Sequence, residues 1–479
     1  MNFPILRKTF RVAGFRELLP SPVRSEYYRR ILRVSLPLVG TTGTILIMEF
    51  TDRVFLARFS LDALAAAAPA GIAAFLFLSF FLGVAGYVGV FVAQYAGAGG
   101  EDRIGATVWQ GLWFTLGAGF CLAPLGFAAD AIFRIAGHPP AIREMEALYF
   151  RLLCSGGVLY VLANALSGFF TGLGRTRTVM AIHLLGMVVN IPVNYVLIFG
   201  KFGLPSMGIV GAGIATVLAW AVMSLAFVVR LFTAEHDRRY GIRRDWRFRA
   251  EDFRRLLRFG VPGALQFTLD VSGFAFCVFV VGRIGTEALA LSTMVMSLNS
   301  IAFTPMMGIS IGTSTLVGQA LGAGRPEEAT EVARHTLHVV LLYIVVMAVL
   351  YLGFPRPLLA LFHPPGGDPA AFERLAETGT DLLRVVALYI FFDAQYMTYV
   401  GVLKGAGDTA FVMGSIGILS VVFMFAPLYV GVVLRGAGLM YVWICVAAYV
   451  FSLFCAVFWR YRRGTWKGMR VIEAEAVAG

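Results

Sequence analysis

The chain has 479 residues, of which 58% are hydrophobic and only 14% charged, and it carries a formal net charge of +12. Mean hydropathy is +0.77. So few polar side chains cannot cover a soluble globule of this size, so the composition places the chain in a bilayer. Most of the positive charge is then expected to serve membrane topology and anionic headgroups, with no nucleic-acid partner.

The first 33 residues form a basic segment, with an amphipathic interfacial helix expected around Phe15 to Tyr28. They lack the apolar core of a cleavable signal peptide, so the first span is expected to act as the signal. Apolar stretches of membrane-crossing length then predict six helices at about 34–58, 63–94, 104–128, 145–170, 176–199 and 208–232. These form an N-lobe over 34–232. A charged connector, 233–252, carries His236, Asp237, Arg238 and Arg239, then Arg243 and Arg244. Six more helices are expected at about 253–282, 286–318, 328–354, 378–403, 410–433 and 437–459, forming a C-lobe over 253–459. The tail, 460–479, reads as short and poorly ordered. The predicted fold is therefore all-α, with twelve transmembrane helices in two pseudo-symmetric six-helix bundles.

The chain repeats itself in these two halves. Leu32, Arg33, Pro37, Gly83, Gln94, Gly97 and Gly99 recur 225 positions later as Leu257, Arg258, Pro262, Gly308, Gln319, Gly322 and Gly324. Six spans per half keep both copies in one orientation, and related halves of a membrane protein commonly enclose a site at their interface. Later in each half Gly172-Leu173-Gly174 answers Gly405-Ala406-Gly407, and Gly211-Ala212-Gly213 answers Gly436-Ala437-Gly438. Turn and packing chemistry is the preferred reading of these glycines. Roughly 29 of the 40 basic residues fall on the side holding both termini, which predicts cytoplasmic termini in a plasma membrane, of the bacterial inner-membrane kind. The five cysteines, scattered through apolar spans without paired spacing, read as reduced packing residues.

A charge within an apolar span costs several kcal/mol, so intramembrane carboxylates call for a reason. Asp52 lies towards the far part of the first span, Asp270 near the centre of the seventh and Asp393 near the centre of the tenth. Glu49 precedes Asp52 by three residues and shares its helix face. A buried carboxylate that binds a cation through neighbouring oxygens can exchange a proton for sodium or for a cationic substrate. The plainer alternative at Asp52 is a fixed pair with Arg53. Asn190 and Asn194 are spaced i, i+4 around Pro192 and face one way, and with Thr216 they can complete a cation cage around Asp52 or form an interhelical clamp. Tyr389 stands one turn before Asp393, in reach of a cation or simply packed. Pro37, Pro192, Pro262, Pro305 and Pro427 mark positions where spans can bend.

Three segments in order, Glu49-Phe50-Thr51-Asp52 with Leu61 to Ala66, Asn190 to Tyr195 leading to Gly200-Lys201-Phe202-Gly203, and Gly211 to Thr216, resemble the multidrug and toxic compound extrusion family. The resemblance covers about residues 31–460 and is nearer the NorM-like branch than the DinF-like one. It implies a V-shaped antiporter of two six-helix lobes that exports organic, often cationic, compounds against inward sodium or protons. It further implies a C-lobe coupling site at Asp270, Asp393 and Tyr389 and an N-lobe site at Asp52, Asn190, Asn194 and Thr216, with any sodium at the same carboxylates. No other cofactor is implied, and nothing calls for more than a monomer. Two departures concern the coupling ion: Asp270 stands where this branch commonly has Glu, and Glu49 is an additional acid. A lipid-linked precursor or polysaccharide flippase is the alternative, and it calls for arginines lining the cavity. An intramembrane enzyme lacks a catalytic pair or dyad at membrane depth, and ATP-driven pumping lacks a phosphate-binding loop.

Overall fold

A computed structural model describes residues 22–136, 139–362 and 369–473, and helix is the only regular structure among them apart from turns. Twelve helices are long and apolar enough to cross a membrane: α1 Ser25–Phe59, α2 Leu61–Ala98, α3 Glu101–Arg134, α4 Ile142–Gly172, α5 Thr176–Phe199, α6 Gly208–Leu231, α7 Ala250–Ile284, α8 Thr286–Gly322, α9 Pro326–Gly353, α10 Glu373–Ala406, α11 Thr409–Leu434 and α12 Leu439–Arg463. Large apolar side chains such as Phe120, Leu342 and Ile418 are exposed on their flanks, as lipid-facing residues should be. Local signals punctuate the helices. The Ser60 hydroxyl accepts from the Ala63 amide to cap α2, and Gly99, Gly200 and Gly464 end helices in the left-handed conformation.

Buried side chains form one core in the N-lobe that also takes in Leu256 and Ala264 of α7 and the tail's Val471 and Ile472, a second within the C-lobe, and a third that joins α1 to α8, α9, α10, α11 and α12 near the termini. The sequence repeat reappears as paired contacts between the lobes. A Cβ on Gly83 of α2 would run into the Ala264 backbone of α7, and one on Gly308 of α8 would meet the Val39 nitrogen of α1 at 2.7 Å. Val39 and Ala264 are themselves 225 apart. Nearer the termini, Gly97 lies against the Gln319 carbonyl and Gly322 against the Gln94 carbonyl, again equivalent pairs. At these crossings only a missing side chain lets the backbones approach so closely. Gln94 Nε2 donates to the Gly405 carbonyl at 2.8 Å and Gln319 Nε2 to the Gly172 carbonyl at 2.8 Å. Thr42 also donates to the Thr304 carbonyl, 3.2 Å away, and the Ser79 and Thr268 hydroxyls are 3.0 Å apart. These links run from the middle of the helices to the end that carries the termini, so the V is closed at that end.

Three sequence expectations need correction. Helix α1 does not begin at 34: helical structure runs from Pro22, because Ile31 is buried and Tyr27 stacks on His335 with ring centroids 5.0 Å apart. The first half of the expected interfacial helix, residues 15–21, lies outside the described residues. The tail is ordered through Glu473: Trp466 is fully buried and stacked on Tyr461, and Val471 and Ile472 are buried. A hydropathy reading misses such a segment because a few apolar residues spread over eight positions carry no periodic signal. The connector contains a short helix, Ala234–Tyr240, docked by the buried His236 and Tyr240. Around Pro427 the helix widens into i→i+5 turns on both sides, at Val421–Phe425 and Tyr429–Leu434, an adjustment that accommodates the missing amide donor. All five cysteines are unpaired, and Cys121 and Cys455 are exposed instead of packed. The repeated glycines fit the turn reading at Gly174, Gly407 and Gly436, which have φ of +71°, +99° and +67°.

Candidate functional site

In the N-lobe, four helices converge on one carboxylate. Asn194 of α5 donates from Nδ2 to Asp52 Oδ1 of α1 and also to Asn190 Oδ1, 3.3 Å away. Both asparagines are fully buried, so the i, i+4 spacing around Pro192 does place their amides on one inward face. Thr216 of α6, whose hydroxyl donates to the Ala212 carbonyl at 3.0 Å, lies in the neighbourhood of Asp52. Tyr149 of α4 is buried beside the same carboxylate and Thr216. Arg53 does not close off the site: its ion pair, 3.9 Å long, goes to Glu49, and both of those side chains are exposed. Glu49 therefore stands at the rim of the Asp52 site, and its interaction runs along α1 to a basic neighbour.

In the C-lobe, Asp270 of α7 accepts from Gln266 Nε2 at 3.2 Å. Asp393 of α10 is buried, with Asp270 as its electrostatic neighbour. Tyr389 is buried one turn away and stacks on Trp443, centroids 6.5 Å apart. The structure adds Tyr396 and Tyr449 in the neighbourhood of the two aspartates, and Lys404 in that of Asp270. Sequence reading passed over Tyr149, Gln266, Tyr396, Lys404 and Tyr449. Two of these carried a local signal: Tyr396 is i+3 from Asp393, and Gln266 is i−4 from Asp270, so each shares its aspartate's helix face.

Several polar atoms at these sites are buried without a protein hydrogen-bond partner: Asn190 Nδ2 and Asn194 Oδ1 in the N-lobe, Gln266 Oε1 and the Tyr396 hydroxyl in the C-lobe. Buried polar groups are normally paired, and each exception costs about 1–3 kcal/mol unless something else satisfies it. Asn194 Oδ1 beside Asp52, and Gln266 Oε1 with Tyr396 Oη around Asp270, make oxygen-rich sets of the kind hard cations select. Among the described residues no group of three or more His, Cys, Asp or Glu side chains forms a transition-metal cluster. Chemically, each lobe can hold either a proton on its carboxylate or a small cation among carboxylate, amide and hydroxyl oxygens.

Known proteins share this architecture. A structure titled as an outward-facing conformation of a multidrug resistance MATE family transporter of the MOP superfamily superposes with a TM-score of 0.83 at 20% identity, over 92% of this chain and 96% of that one. A second, titled as a MOP superfamily transporter from Pyrococcus furiosus with reversed binding-pocket polarity, also gives 0.83 at 20% identity, over 92% and 97%. At that identity the likeness concerns the fold. In sequence, the chain is 31% identical to the Pseudomonas putida protein named "Probable multidrug resistance protein NorM", over 81% of this chain and 84% of that protein. It is 30% identical to the Yersinia pestis multidrug resistance protein MdtK, over 66% and 68%. The MatE family profile matches residues 37–196 and again 262–430, two copies whose starts are separated by the repeat interval of 225. The chain belongs to the MatE family of membrane transporters.

Proposed function

We propose that this chain is a secondary antiporter that expels organic, often cationic, amphipathic compounds in exchange for sodium ions or protons. The observation that carries the reading is the pair of buried acid sites, one in each lobe, at Asp52 with Asn190, Asn194 and Thr216, and at Asp270 and Asp393 with Tyr389. Each has a buried amide oxygen, Asn194 Oδ1 or Gln266 Oε1, that no protein donor meets. A carboxylate in such a setting is stable when protonated or when paired with a cation, and unstable when bare and charged. Loading and unloading it is therefore coupled to whichever state of the lobes gives the ion its way in or out.

The end closed by Gln94, Gln319 and their glycines is the cytoplasmic end in this reading, following the basic residues that crowd it. The chain then sits in the bacterial inner membrane with both termini inside and works as a monomer. Transport of this kind breaks no covalent bond and needs no catalytic group. One charge moved through 100 mV supplies about 2.3 kcal/mol, enough for nearly two decades of concentration ratio. A flippase of lipid-linked precursors is disfavoured by the sites themselves, where carboxylates outnumber Lys404 and the exposed Arg53 that pairs with Glu49, and no arginine pairs with Asp52, Asp270 or Asp393 among the described residues. The test is efflux of a fluorescent organic cation from vesicles under imposed proton and sodium gradients. Gradient-driven efflux that disappears in Asp52→Asn plus Asp393→Asn is the expected result, and gradient-independent efflux or full activity of that variant contradicts the reading.

A further inference from the structure

At the closed end, one charge pair of the repeat has no counterpart in the other lobe, and the tail sits there. Arg30 of α1 forms an ion pair across the lobes with Glu328 of α9 and donates to Gln319 Oε1 at 3.5 Å. Its repeat partner is Arg255 of α7. The partner of Glu328, however, is residue 103, which is an arginine. The acid that would complete the second inter-lobe pair is missing from the repeat.

The tail supplies it. Glu473 pairs with Arg255 and accepts from the Tyr95 hydroxyl of α2 at 2.6 Å. The Val471 amide donates to Gln94 Oε1 at 2.8 Å, so the amide whose other end reaches Gly405 is held from both sides. Val471 packs against Gly407 and beside Phe259. The other end of the segment is fixed to the C-lobe: Trp466 Nε1 donates to the Tyr461 carbonyl at 3.0 Å, and Lys467 pairs with Glu327 at 3.4 Å. The eight residues Trp466–Glu473 thus run from C-lobe anchors to α2 of the N-lobe. Burial opposes ionisation of Glu473, but the hydrogen bonds from Tyr95 and Arg255 outweigh it and hold the carboxyl below its ordinary range. On the mirror side, the space is a cleft lined by Arg30, Arg175, Gln319, Arg325 and Glu328.

We infer that residues Val471–Glu473 are a strap across the closed end of the V, with Glu473 a positioning residue that stands in for the acid absent at position 103, and that this end opens only when the strap leaves α2. Parting the ends of α2 and α8 separates Gln94 from Gly405, and the tail, anchored on the C-lobe, must then release Gln94 and Tyr95. One charge-assisted hydrogen bond shifts such an equilibrium by about tenfold or more.

The test places spin labels at the exposed Arg177 of α5 and Arg334 of α9, in a background whose five cysteines are replaced by alanine. Inter-lobe distances are measured where the full chain populates both a short and a long separation. Deletion from Arg470 onward, and Glu473→Gln alone, are expected to raise the ratio of long to short distances by about tenfold. Lys467→Ala removes only an exposed ion pair and leaves the buried Trp466 anchor and every contact with α2 in place, so it is expected to leave the ratio unchanged. Cytoplasmic substrate should half-saturate transport at a correspondingly lower concentration, because its binding-competent state is more populated. Unchanged distances in both tail variants overturn the inference, as does an equal shift in Lys467→Ala. The distances assume nothing about ion or substrate, so failure of the exchange reading would show separately. Glu473→Gln, an isosteric change, covers the case in which the deletion does not fold.

Discussion

Adding one methyl group at Gly97 tests the closed end directly. A Cβ there would meet the Gln319 backbone, with the carbonyl carbon at 2.8 Å and the oxygen nearer still, against an ordinary contact of 3.4–4 Å. Because the obstruction is backbone, no side chain can swing away, and the ends of α2 and α8 must separate by on the order of 1 Å. That displacement takes the 2.8 Å bonds from Gln94 to Gly405 and from Gln319 to Gly172 out of hydrogen-bonding range. At about 0.5–1.5 kcal/mol each, their loss disfavours the closed state by roughly 1–3 kcal/mol, or about 5- to 150-fold in the open-to-closed ratio. The symmetry requires Gly322→Ala, which meets the Gln94 backbone in the same way, to have a similar effect. The assay is the inter-lobe distance between labels on α5 and α9, together with efflux, with Gly117→Ala as control because nothing lies within 4 Å of its Cβ position. A Gly97→Ala protein with wild-type distances and wild-type efflux would refute the reasoning.

Asn194→Ala removes the donor to Asp52 and an unpaired oxygen from the N-lobe site. It should weaken the apparent affinity for the coupling ion by about tenfold or more, read as the ion concentration giving half-maximal efflux. Tyr396→Phe deletes a buried hydroxyl that has no protein partner, so thermal stability should hold or rise by up to about 1 kcal/mol while ion dependence weakens; a stability loss with unchanged ion dependence would make Tyr396 a packing residue. His236 is held below its ordinary pKa, first by burial and then by the neighbouring Arg175, although its bond to the Arg230 carbonyl and the Glu235 charge act the other way. A base with a depressed folded-state pKa binds its proton more readily when unfolded, so stability falls as pH drops below the model-peptide value of about 6.5. Protection factors across Ala234–Tyr240, which already allow for the slowing of intrinsic exchange as pH falls, should drop over that range and lose this slope in His236→Gln.

The fold was largely legible because bilayer-crossing length and composition act on long segments that tolerate errors of a few residues. The repeat went further: the interval of 225 named the residue pairs, Gly97 with Gly322 and Gln94 with Gln319, that form the inter-lobe contact. The acids were also legible, since Asp52, Asp270 and Asp393 stand out against apolar surroundings. Their partners on other helices were harder to find. Tyr149 and Tyr449 reach the acids from α4 and α12 through tertiary packing alone, and a tyrosine in an apolar span carries no mark of such a role. The ordered tail was missed for the same reason: Trp466, Val471 and Ile472 are fixed by cavities between helices, and no local pattern announces those cavities.

In the proposed exchange, buried carboxylates in the lobes give up a positive ion as substrate binds. The most direct measurement is the release of protons or sodium on adding an organic cation to the purified protein across pH, repeated with Asp52→Asn, Asp270→Asn and Asp393→Asn. Ion release should shrink with each acid removed. Substrate binding with no release, or release undiminished in all three variants, would contradict this exchange.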